Sequence, residues 1–268
     1  MAETIAIVGS GMIGSGLARL AASAGYDVVI SNTRGPESLA ELVAEIGNGA
    51  RAASVADAIA QTDLIIAAVP MGAYDKLPAN LLQGKTVIDT LNYYPMRDGE
   101  MPDVSAAKIT TSELLQQHLE GAKVVKALHN LDFYHLVANA RPAGHPERTT
   151  LPLAGNDPEA NAKVADFMRA IGYDACDIGP LSESWRIEPG TKIYVWPYVP
   201  QIPTDASPEE ARRIYLEVTP APLSMAQVAE MAKNATRSNP VGGFTHDLPD
   251  IHINMVGEVY QGRAVQSQ

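Results

Sequence analysis

The chain has 268 residues, of which 46% are hydrophobic and 19% are charged, and its mean hydropathy is −0.05. This composition is typical of a soluble globular protein whose core is large enough to fold without disulfide or metal staples. The 31 acidic residues outnumber the 20 basic ones, which gives a net charge of −11. Because such a surface repels phosphate groups, we expect no nucleic-acid partner and no binding to an anionic membrane surface.

Three further features indicate a cytoplasmic protein. Cys176 is the single cysteine, which excludes an intrachain disulfide, and its strand-like surroundings favour a small buried residue over a reactive thiol. No apolar run approaches the roughly 20 residues that a membrane-spanning helix needs. The first strand begins almost at once, at Thr4, with no basic leader before it.

The first two-thirds of the chain alternates short apolar runs with helical stretches, which is the rhythm of a parallel α/β sheet. The predicted strands cover residues 4–8, 28–30, 64–69, 86–89, 123–128, 151–155 and 174–178, and the clearest predicted helices cover 12–23, 36–46 and the stretch after Asp157. Several strands are near-continuous apolar runs, as expected where helices cover both faces of the sheet. The sequence therefore predicts an α/β fold with a Rossmann-type, doubly wound and mainly parallel sheet.

The composition changes after about Glu188. The stretch from Pro189 to Pro222 holds seven prolines, which the interior of a sheet would not tolerate. Helix-capping patterns open two short helices, one at Ser207 and one at Ser224, and the last thirty residues read as irregular. We therefore predict an NADP-binding domain over 1–188 and a C-terminal extension over 189–268 that forms a lid, an acceptor site or a dimer contact.

A glycine-rich turn directly follows the first strand and opens the first helix. It has the pattern GxGxxG and consists of Gly9, Ser10, Gly11, Met12, Ile13 and Gly14. In this pattern the first glycine permits a tight turn, the second lets a pyrophosphate approach the backbone, and the third lets helix and strand pack closely. The N-terminus of the helix stabilises the phosphate charge. With a strand before it and a helix after it, the motif predicts a dinucleotide-binding site.

The end of the second predicted strand determines which dinucleotide is expected. An enzyme that uses NAD places Asp or Glu here, about 20 residues beyond the glycines, to bind the ribose hydroxyl. This chain has Ser31, Asn32, Thr33 and Arg34 instead. With no carboxylate to repel a 2′-phosphate and a guanidinium to bind it, the sequence predicts NADP(H).

Other candidate residues follow the later strands, at the sheet edge where ligands of open α/β sheets bind. Val69, Pro70 and Met71 are predicted to form a wall against the nicotinamide, with Asn92 beyond the next strand. The catalytic residues stay unknown at this point, and the candidates are Lys126, His129 and Tyr94. Each of these side chains alone is better explained by loop hydrogen bonding than by catalysis, and it is their shared sheet edge that favours the group.

Four segments between the first strand and Pro189 carry a family resemblance: GSGMIGSGLARLAASAGYDVVISNTRGPESL, VVKALHNL, AGNDPEANAKV and IGPLSES. In this order they resemble the coenzyme F420-dependent NADP oxidoreductases. The resemblance implies hydride transfer between NADP(H) and a deazaflavin. It also implies that the dinucleotide turn is lined by Ser10, Met12 and Ile13, and that the 2′-phosphate is held by Ser31, Thr33 and Arg34. The nicotinamide would contact Val69 and Pro70. Residues 128–130 would lie near the acceptor.

Two departures from that family fall where the second substrate is expected. The chain continues for about eighty residues past Glu188, and the segment DTLNYYP at 89–95 is more polar and aromatic. Three functions therefore stay open: hydride transfer to coenzyme F420 or another flavin-type acceptor, reduction of a small carbonyl or imine, and a non-catalytic NADP(H)-sensing module. For the two enzymatic functions, the expected partner is a small-molecule acceptor. The apolar helix faces of the extension also allow a homodimer.

A metal site is the last candidate that the sequence offers. His246, Asp247, Asp250 and His252 could supply two imidazoles and two carboxylates, but they lack the spacing of a metal-binding helix and lie in a proline-containing loop. We predict no metal.

Overall fold

A computed structural model describes residues 2–244 and 248–266 of the chain. It contains one eight-stranded sheet with the strand order β3-β2-β1-β4-β5-β6-β7-β8. The strands are β1 (Thr4–Val8), β2 (Asp27–Ser31), β3 (Arg51–Ala52), β4 (Leu64–Ala67), β5 (Thr86–Asp89), β6 (Lys123–Ala127), β7 (Thr150–Gly155) and β8 (Asp174–Asp177). Neighbouring strands are parallel except β6 and β7, which are antiparallel. The predicted Rossmann-type, doubly wound and mainly parallel sheet is therefore confirmed.

The α-helices cover both faces of this sheet. They are α1 (Met12–Ser23), α2 (Ala40–Ile46), α3 (Val55–Ala60), α4 (Ala79–Leu82), α5 (Pro95–Asp98), α6 (Pro102–Ser105), α7 (Thr111–His118), α8 (His135–Ala138), α9 (Pro158–Ala170), α10 (Pro208–Glu217), α11 (Met225–Lys233) and α12 (Asp250–Gln266). Short 3-10 helices span Pro36–Leu39, Met71–Lys76, Leu181–Ile187 and Trp196–Tyr198. A separate hydrophobic cluster lies on each side of the sheet, which explains why its strands read as continuous apolar runs. In the part of the chain that the structure describes, no helix has both the length and the apolar character needed to cross a membrane.

The position of the site follows from the strand order. β1 pairs with β2 on one side and with β4 on the other, so the chain winds outward in both directions from this point. In open α/β sheets, ligands bind in the crevice at the carboxyl end of the strands where the winding direction reverses. The glycine turn after Val8 lies at this crevice.

The extension is packed onto the sheet domain. Tyr198 and Val228 from the extension are buried in the main core cluster. The Thr150 amide donates to the Leu223 carbonyl at 2.9 Å, and the Tyr198 hydroxyl donates to the Thr150 carbonyl at 3.3 Å. The extension thus continues the core beside β7.

The structure corrects the prediction for the last thirty residues. We expected irregular chain, but 250–266 form the helix α12. Its apolar side chains are spread around the helix instead of forming one stripe, and Gly257 and Gly262 lower its helical propensity, so no amphipathic pattern marks it. Burial of Met255 and Val259 against α10 and Phe133 stabilises it instead.

Smaller corrections concern element ends. The strand predicted over 64–69 ends at Ala67, and the helix predicted over 36–46 divides into a 3-10 turn over Pro36–Leu39 and the helix α2. The two-residue strand β3 was not predicted.

Candidate active site

The glycine turn has the close packing that its sequence predicts. Gly9 has φ +115°, and a Cβ there would lie 2.2 Å from the Ala68 carbonyl oxygen. A Cβ on Gly14 would lie 2.0 Å from the Gly9 carbonyl oxygen. A Cβ on Gly11 would meet nothing within 4 Å. The turn therefore packs tightly against Ala68, directly after β4, while it leaves open space at the N-terminus of α1, where a pyrophosphate would fit.

The residues after β2 form a loop that is held beside this turn. The Asn32 amide nitrogen donates to the hydroxyls of Ser10 and Ser38, each at 3.0 Å. The Asn32 side-chain oxygen accepts the Arg34 backbone N–H at 2.9 Å. Asn32 therefore fixes the loop through hydrogen bonds within the protein.

The remaining residues of this loop divide into one buried and two exposed side chains. Ser31 is fully buried, and its hydroxyl donates to the Ile7 carbonyl at 3.1 Å. Thr33 and Arg34 are exposed, and the Arg34 guanidinium forms no ion pair with the residues that the structure describes. Thr33 and Arg34 thus remain available for a 2′-phosphate, whereas the Ser31 hydroxyl already has a partner.

A cavity of 610 Å³ begins at the glycine turn and extends along the carboxyl edge of the sheet. On the side of the sheet domain it is lined by Gly11, Met12, Ile13, Val69, Pro70 and Asn92, all of them predicted site residues. On the side of the extension it is lined by Tyr194, Phe244, Leu248, Ile253, Val256 and Tyr260. The volume lies within the range of about 300–1,000 Å³ that is usual for small-molecule sites.

Met71 does not share this wall. It is fully buried in the hydrophobic cluster behind Pro70, so the structure places it in the core, not on the cavity surface.

Two tyrosines meet in the cavity. The hydroxyls of Tyr94 and Tyr194 are hydrogen-bonded to each other, and the Arg97 guanidinium lies 4.8 Å from the centre of the Tyr94 ring. Burial, and then the neighbouring Tyr94, raise the pKa of Tyr194 well above its ordinary value. The Tyr194 phenol is therefore protonated at neutral pH.

Asn92 and His129 bind each other at the edge of the cavity. The Asn92 amide nitrogen donates to the His129 carbonyl at 3.0 Å, and its side-chain oxygen accepts from His129 Nδ1 at 3.1 Å. Burial, together with the positive charge of Lys126, holds the pKa of His129 well below its ordinary value. The imidazole is thus neutral, and it stacks on Tyr194 with ring centres 6.4 Å apart.

Lys126 lies beneath the cavity wall. Its side chain is fully buried, its Nζ lies 3.6 Å from the Asp89 carboxylate, and it donates to the Leu91 carbonyl. Asp89 also accepts from the Ser112 hydroxyl at 2.7 Å. The structure therefore brings Tyr94, Asn92 and His129 together but holds Lys126 in an ion pair that supports β5 and β6.

Sequence reasoning did not identify Tyr194 or the residues of α12 that line the cavity. Tyr194 lies in the extension, one hundred positions after its partner Tyr94, so no local spacing links the two. The aromatic run around Trp196 was its only signal.

The four metal-site candidates are only partly described. His246 and Asp247 lie outside the described residues. His252 is buried, with its Nε2 donating to the Pro200 carbonyl at 2.9 Å, and Asp250 begins α12. Within 2–244 and 248–266, no group of three or more His, Cys, Asp or Glu residues is placed to hold a metal ion.

Comparison with known families gives one match at the dinucleotide turn. Residues 4–93 match the family model described as "NADP oxidoreductase coenzyme F420-dependent". This range covers β1 to β5 and includes the glycine turn, the loop after β2 and the Val69–Pro70 wall.

Solved structures match a longer part of the chain. It is 32% identical to a hypothetical protein from Sinorhizobium meliloti, with a TM-score of 0.62 over 69% of this chain and 89% of that one. It is 27% identical to a protein from Arthrobacter sp. FB24 described as an F420-dependent NADP reductase, with a TM-score of 0.56 over 67% of this chain and 86% of that one.

A curated relative matches a similar part of the chain. The chain is 26% identical over 189 residues to the metalloreductase STEAP3 of Rattus norvegicus, which is 70% of this chain. The chain spans 36% of the length of that relative.

Proposed function

Because the chain belongs to the family of coenzyme F420-dependent NADP oxidoreductases and is an NADP(H)-dependent oxidoreductase, we propose that it transfers hydride between NADPH and a flavin-type acceptor. Coenzyme F420 is the first candidate for this acceptor. The acceptor is a small molecule that binds in the cavity beside the glycine turn.

The residues of the site fit NADP(H). The open space at Gly11 and the N-terminus of α1 suit the pyrophosphate, and the exposed Thr33 and Arg34 suit the 2′-phosphate. Val69 and Pro70 line the cavity beyond the turn, and we expect the nicotinamide to lie against them. When bound, NADPH supplies the hydride.

The observation that carries the proposal is the cavity itself. It runs from the glycine turn past Val69 and Pro70 to an apolar cover formed by α12. Hydride transfer between two flat rings asks the protein to align the rings and exclude water, and it asks little of acid and base side chains. The neutral His129 and the paired Lys126 agree with this requirement.

The direct test mixes the purified protein with NADPH and coenzyme F420, with FMN as a parallel acceptor, and follows the absorbance of the deazaflavin. We expect bleaching with F420 that depends on NADPH. Tight NADPH binding without reduction of either acceptor would contradict the proposal. It would direct attention to the alternatives, which are reduction of a small carbonyl or imine and NADP(H) sensing without turnover.

The predictions of a cytoplasmic location, of a homodimer and of no nucleic-acid or membrane partner stay predictions. Size-exclusion chromatography with light scattering tests the homodimer.

A further inference from the structure

We infer that the hydrogen-bonded phenols of Tyr94 and Tyr194 form a proton-donating pair, and that the same cavity therefore reduces small apolar aldehydes and ketones. The inference rests on the proposed function in one respect, because it uses the same bound NADPH. It adds a second class of acceptor and assigns a chemical role to a residue of the extension.

The pair is placed where an acceptor would contact it. Both tyrosines line the cavity, as does Pro70, against which we expect the nicotinamide to lie. The Tyr194 ring rests on the buried His129 imidazole, and Tyr194 follows directly from the segment that Asn130 fixes through hydrogen bonds to the Ile187 and Ile193 carbonyls. Both residues lie in loops, but their rings are held by packing, Tyr94 against Arg97 and Tyr194 against His129.

The proton leaves from Tyr94, because Tyr194 stays protonated beside it. When Tyr94 loses its proton, the Tyr194 O–H donates to the Tyr94 oxygen and stabilises the negative charge by a charge-assisted hydrogen bond. The Arg97 guanidinium over the Tyr94 ring stabilises the same charge electrostatically. The other titratable groups around the pair are Asp98, His129 and Asp132; Asp98 and Asp132 are engaged with Arg97 and His135.

The proposed step balances as an ordinary carbonyl reduction. The carbonyl carbon gains the hydride that NADPH supplies, and the π bond of the carbonyl becomes a lone pair on oxygen. That oxygen takes a proton from the phenol pair, which gives the alcohol, and the pair regains its proton from solvent. Proton donation matters here because an alkoxide is a much stronger base than a phenolate.

A flavin-type ring places a smaller demand on the pair. Its conjugated carbonyl and nitrogen atoms spread the negative charge that hydride addition creates, so the ring can be reduced without a strong proton donor. The two acceptor classes should therefore respond differently to loss of the phenols.

The cover of the cavity indicates which carbonyl compounds fit. Phe133, Phe244, Leu248, Ile253 and Val256 present apolar surface. Burial of a charged substrate against this surface would cost free energy. The two charged side chains of the lining, Arg97 and Asp132, are already engaged with Asp98 and His135, so we expect neutral aryl or alicyclic ketones.

The experiment compares Tyr194→Phe and Tyr94→Phe with the wild type, using acetophenone as substrate and benzamide as a carbonyl compound that is not reduced. We expect kcat for acetophenone to fall at least ~100-fold in each variant, the range that general acid catalysis contributes. We expect benzamide to bind the NADPH complex ~3–10-fold more weakly in calorimetry, as loss of one hydrogen bond implies. The double variant should be no worse than the poorer single variant, because the two phenols act as one unit.

The matched control is Tyr74→Phe. Tyr74 is also partly buried, but its ring packs edge-on against His118 at 5.7 Å and lies outside the cavity lining. The Tyr74→Phe variant should change neither kcat for acetophenone nor the affinity for benzamide. Unchanged NADPH affinity in all variants shows that the fold is retained, and if Tyr194→Phe does not fold, Tyr94→Phe still tests the pair.

Two results would overturn the inference. One is wild-type protein that binds NADPH but neither reduces acetophenone, benzaldehyde or cyclohexanone nor binds benzamide. The other is a Tyr194→Phe variant with wild-type kcat for the ketone and wild-type benzamide affinity. Neither result depends on reduction of F420 or FMN, whose failure in the wild type would count against the proposed function instead.

Discussion

Arg34 is the residue on which the preference for NADPH depends. It lies exposed after β2, beside Thr33, with its backbone held by Asn32 and no carboxylate among residues 31–34. We predict that Arg34→Glu weakens NADPH binding at least ~100-fold, because a charge-assisted contact is replaced by repulsion of the 2′-phosphate. NADH, which lacks that phosphate, should lose less than ~3-fold. Fluorescence titration with both dinucleotides measures the ratio.

Arg213→Glu is the control for this prediction. Arg213 is exposed on α10 in the extension, and its replacement changes the net charge by the same amount. If Arg34→Glu weakened both dinucleotides equally, the 2′-phosphate would bind elsewhere.

Substitutions at two glycines of the turn should affect the stability of the protein and its NADPH binding differently. Gly14→Ala would place a Cβ 2.0 Å from the Gly9 carbonyl oxygen, so we predict a lower midpoint of thermal unfolding as well as weaker NADPH binding. Gly11→Ala meets no atom of the protein within 4 Å, so we predict nearly normal stability with NADPH binding weakened at least ~10-fold. Calorimetry and dinucleotide titration measure both effects. Wild-type NADPH affinity in Gly11→Ala would show that the pyrophosphate does not approach the backbone there.

These residues could be predicted because the motif that they form lies within a short stretch of the chain. The spacing of Gly9, Gly11 and Gly14 after an apolar strand specifies the turn without reference to distant residues. The pairing of Tyr94 with Tyr194 could not be predicted this way, because it depends on how the extension packs on the sheet. The ion pair with Asp89 likewise separates Lys126 from the other candidates, and such a pairing cannot be predicted from a single polar residue in a strand.

At the scale of elements, the βα rhythm was predictable and α12 was not. The strands of the sheet are apolar runs bounded by turns, and hydrophobic periodicity identifies them directly. α12 has no such period, and its placement over the cavity depends on long-range contacts of Met255 and Val259 with α10 and Phe133. A pattern search along the chain therefore does not reveal which element covers the site.

The cover formed by α12 can be tested from within the helix. We predict that Val259→Asp detaches α12, because an unpaired carboxylate in the cluster with Phe133 and Tyr215 costs several kcal/mol, of the order of 3–5. The KM for the acceptor should rise at least ~10-fold. The preference for NADPH over NADH, which depends on Arg34, should stay unchanged. Limited proteolysis should cut the variant near α12 faster than the wild type.

The neighbouring Glu258→Gln is the matched control for this change. Glu258 pairs with Arg212 on α10, and both side chains are about half exposed. Surface pairs of this kind contribute roughly 0–1 kcal/mol, so the variant should keep the acceptor KM and the protease resistance of the wild type. Equal behaviour of the two variants would mean that α12 does not close the cavity.

At the scale of the whole molecule, one buried network joins the sheet domain to the extension. The Asp132 carboxylate accepts from His135 Nδ1 at 2.8 Å and from the Tyr215 hydroxyl at 3.0 Å. His135 Nε2 lies 3.1 Å from the Tyr215 carbonyl oxygen. Carboxylate and carbonyl oxygens only accept, so His135 lies between two hydrogen-bond acceptors. The extension is thus attached to the loop after β6 by these buried hydrogen bonds as well as by apolar contacts.

This network predicts how the stability of the protein depends on pH. Burial alone would raise the pKa of Asp132, but the hydrogen bonds and the charge of His135, with the Tyr215 hydroxyl, hold it below the ordinary value of 3.8. A carboxyl group whose pKa is depressed by folding stabilises the native state above its unfolded pKa, and that contribution is lost as the pH falls through the folded value. We therefore predict that Asp132→Asn lowers the free energy of unfolding by roughly 3–5 kcal/mol at pH 7. The difference from the wild type should shrink below pH 3.8.

Urea unfolding of both proteins between pH 3 and pH 8 measures that difference, and Asp103→Asn provides the comparison. Asp103 pairs with Lys108 at 3.0 Å, but both side chains are more than 60% exposed, so solvent screens the pair and its loss should leave the pH dependence unchanged. A constant gap between Asp132→Asn and the wild type down to pH 3 would show that the cost comes from packing and not from the charge of Asp132. A gap that closes in acid would identify the Asp132 carboxylate as the group whose protonation loosens the extension, and with it the cover of the cavity.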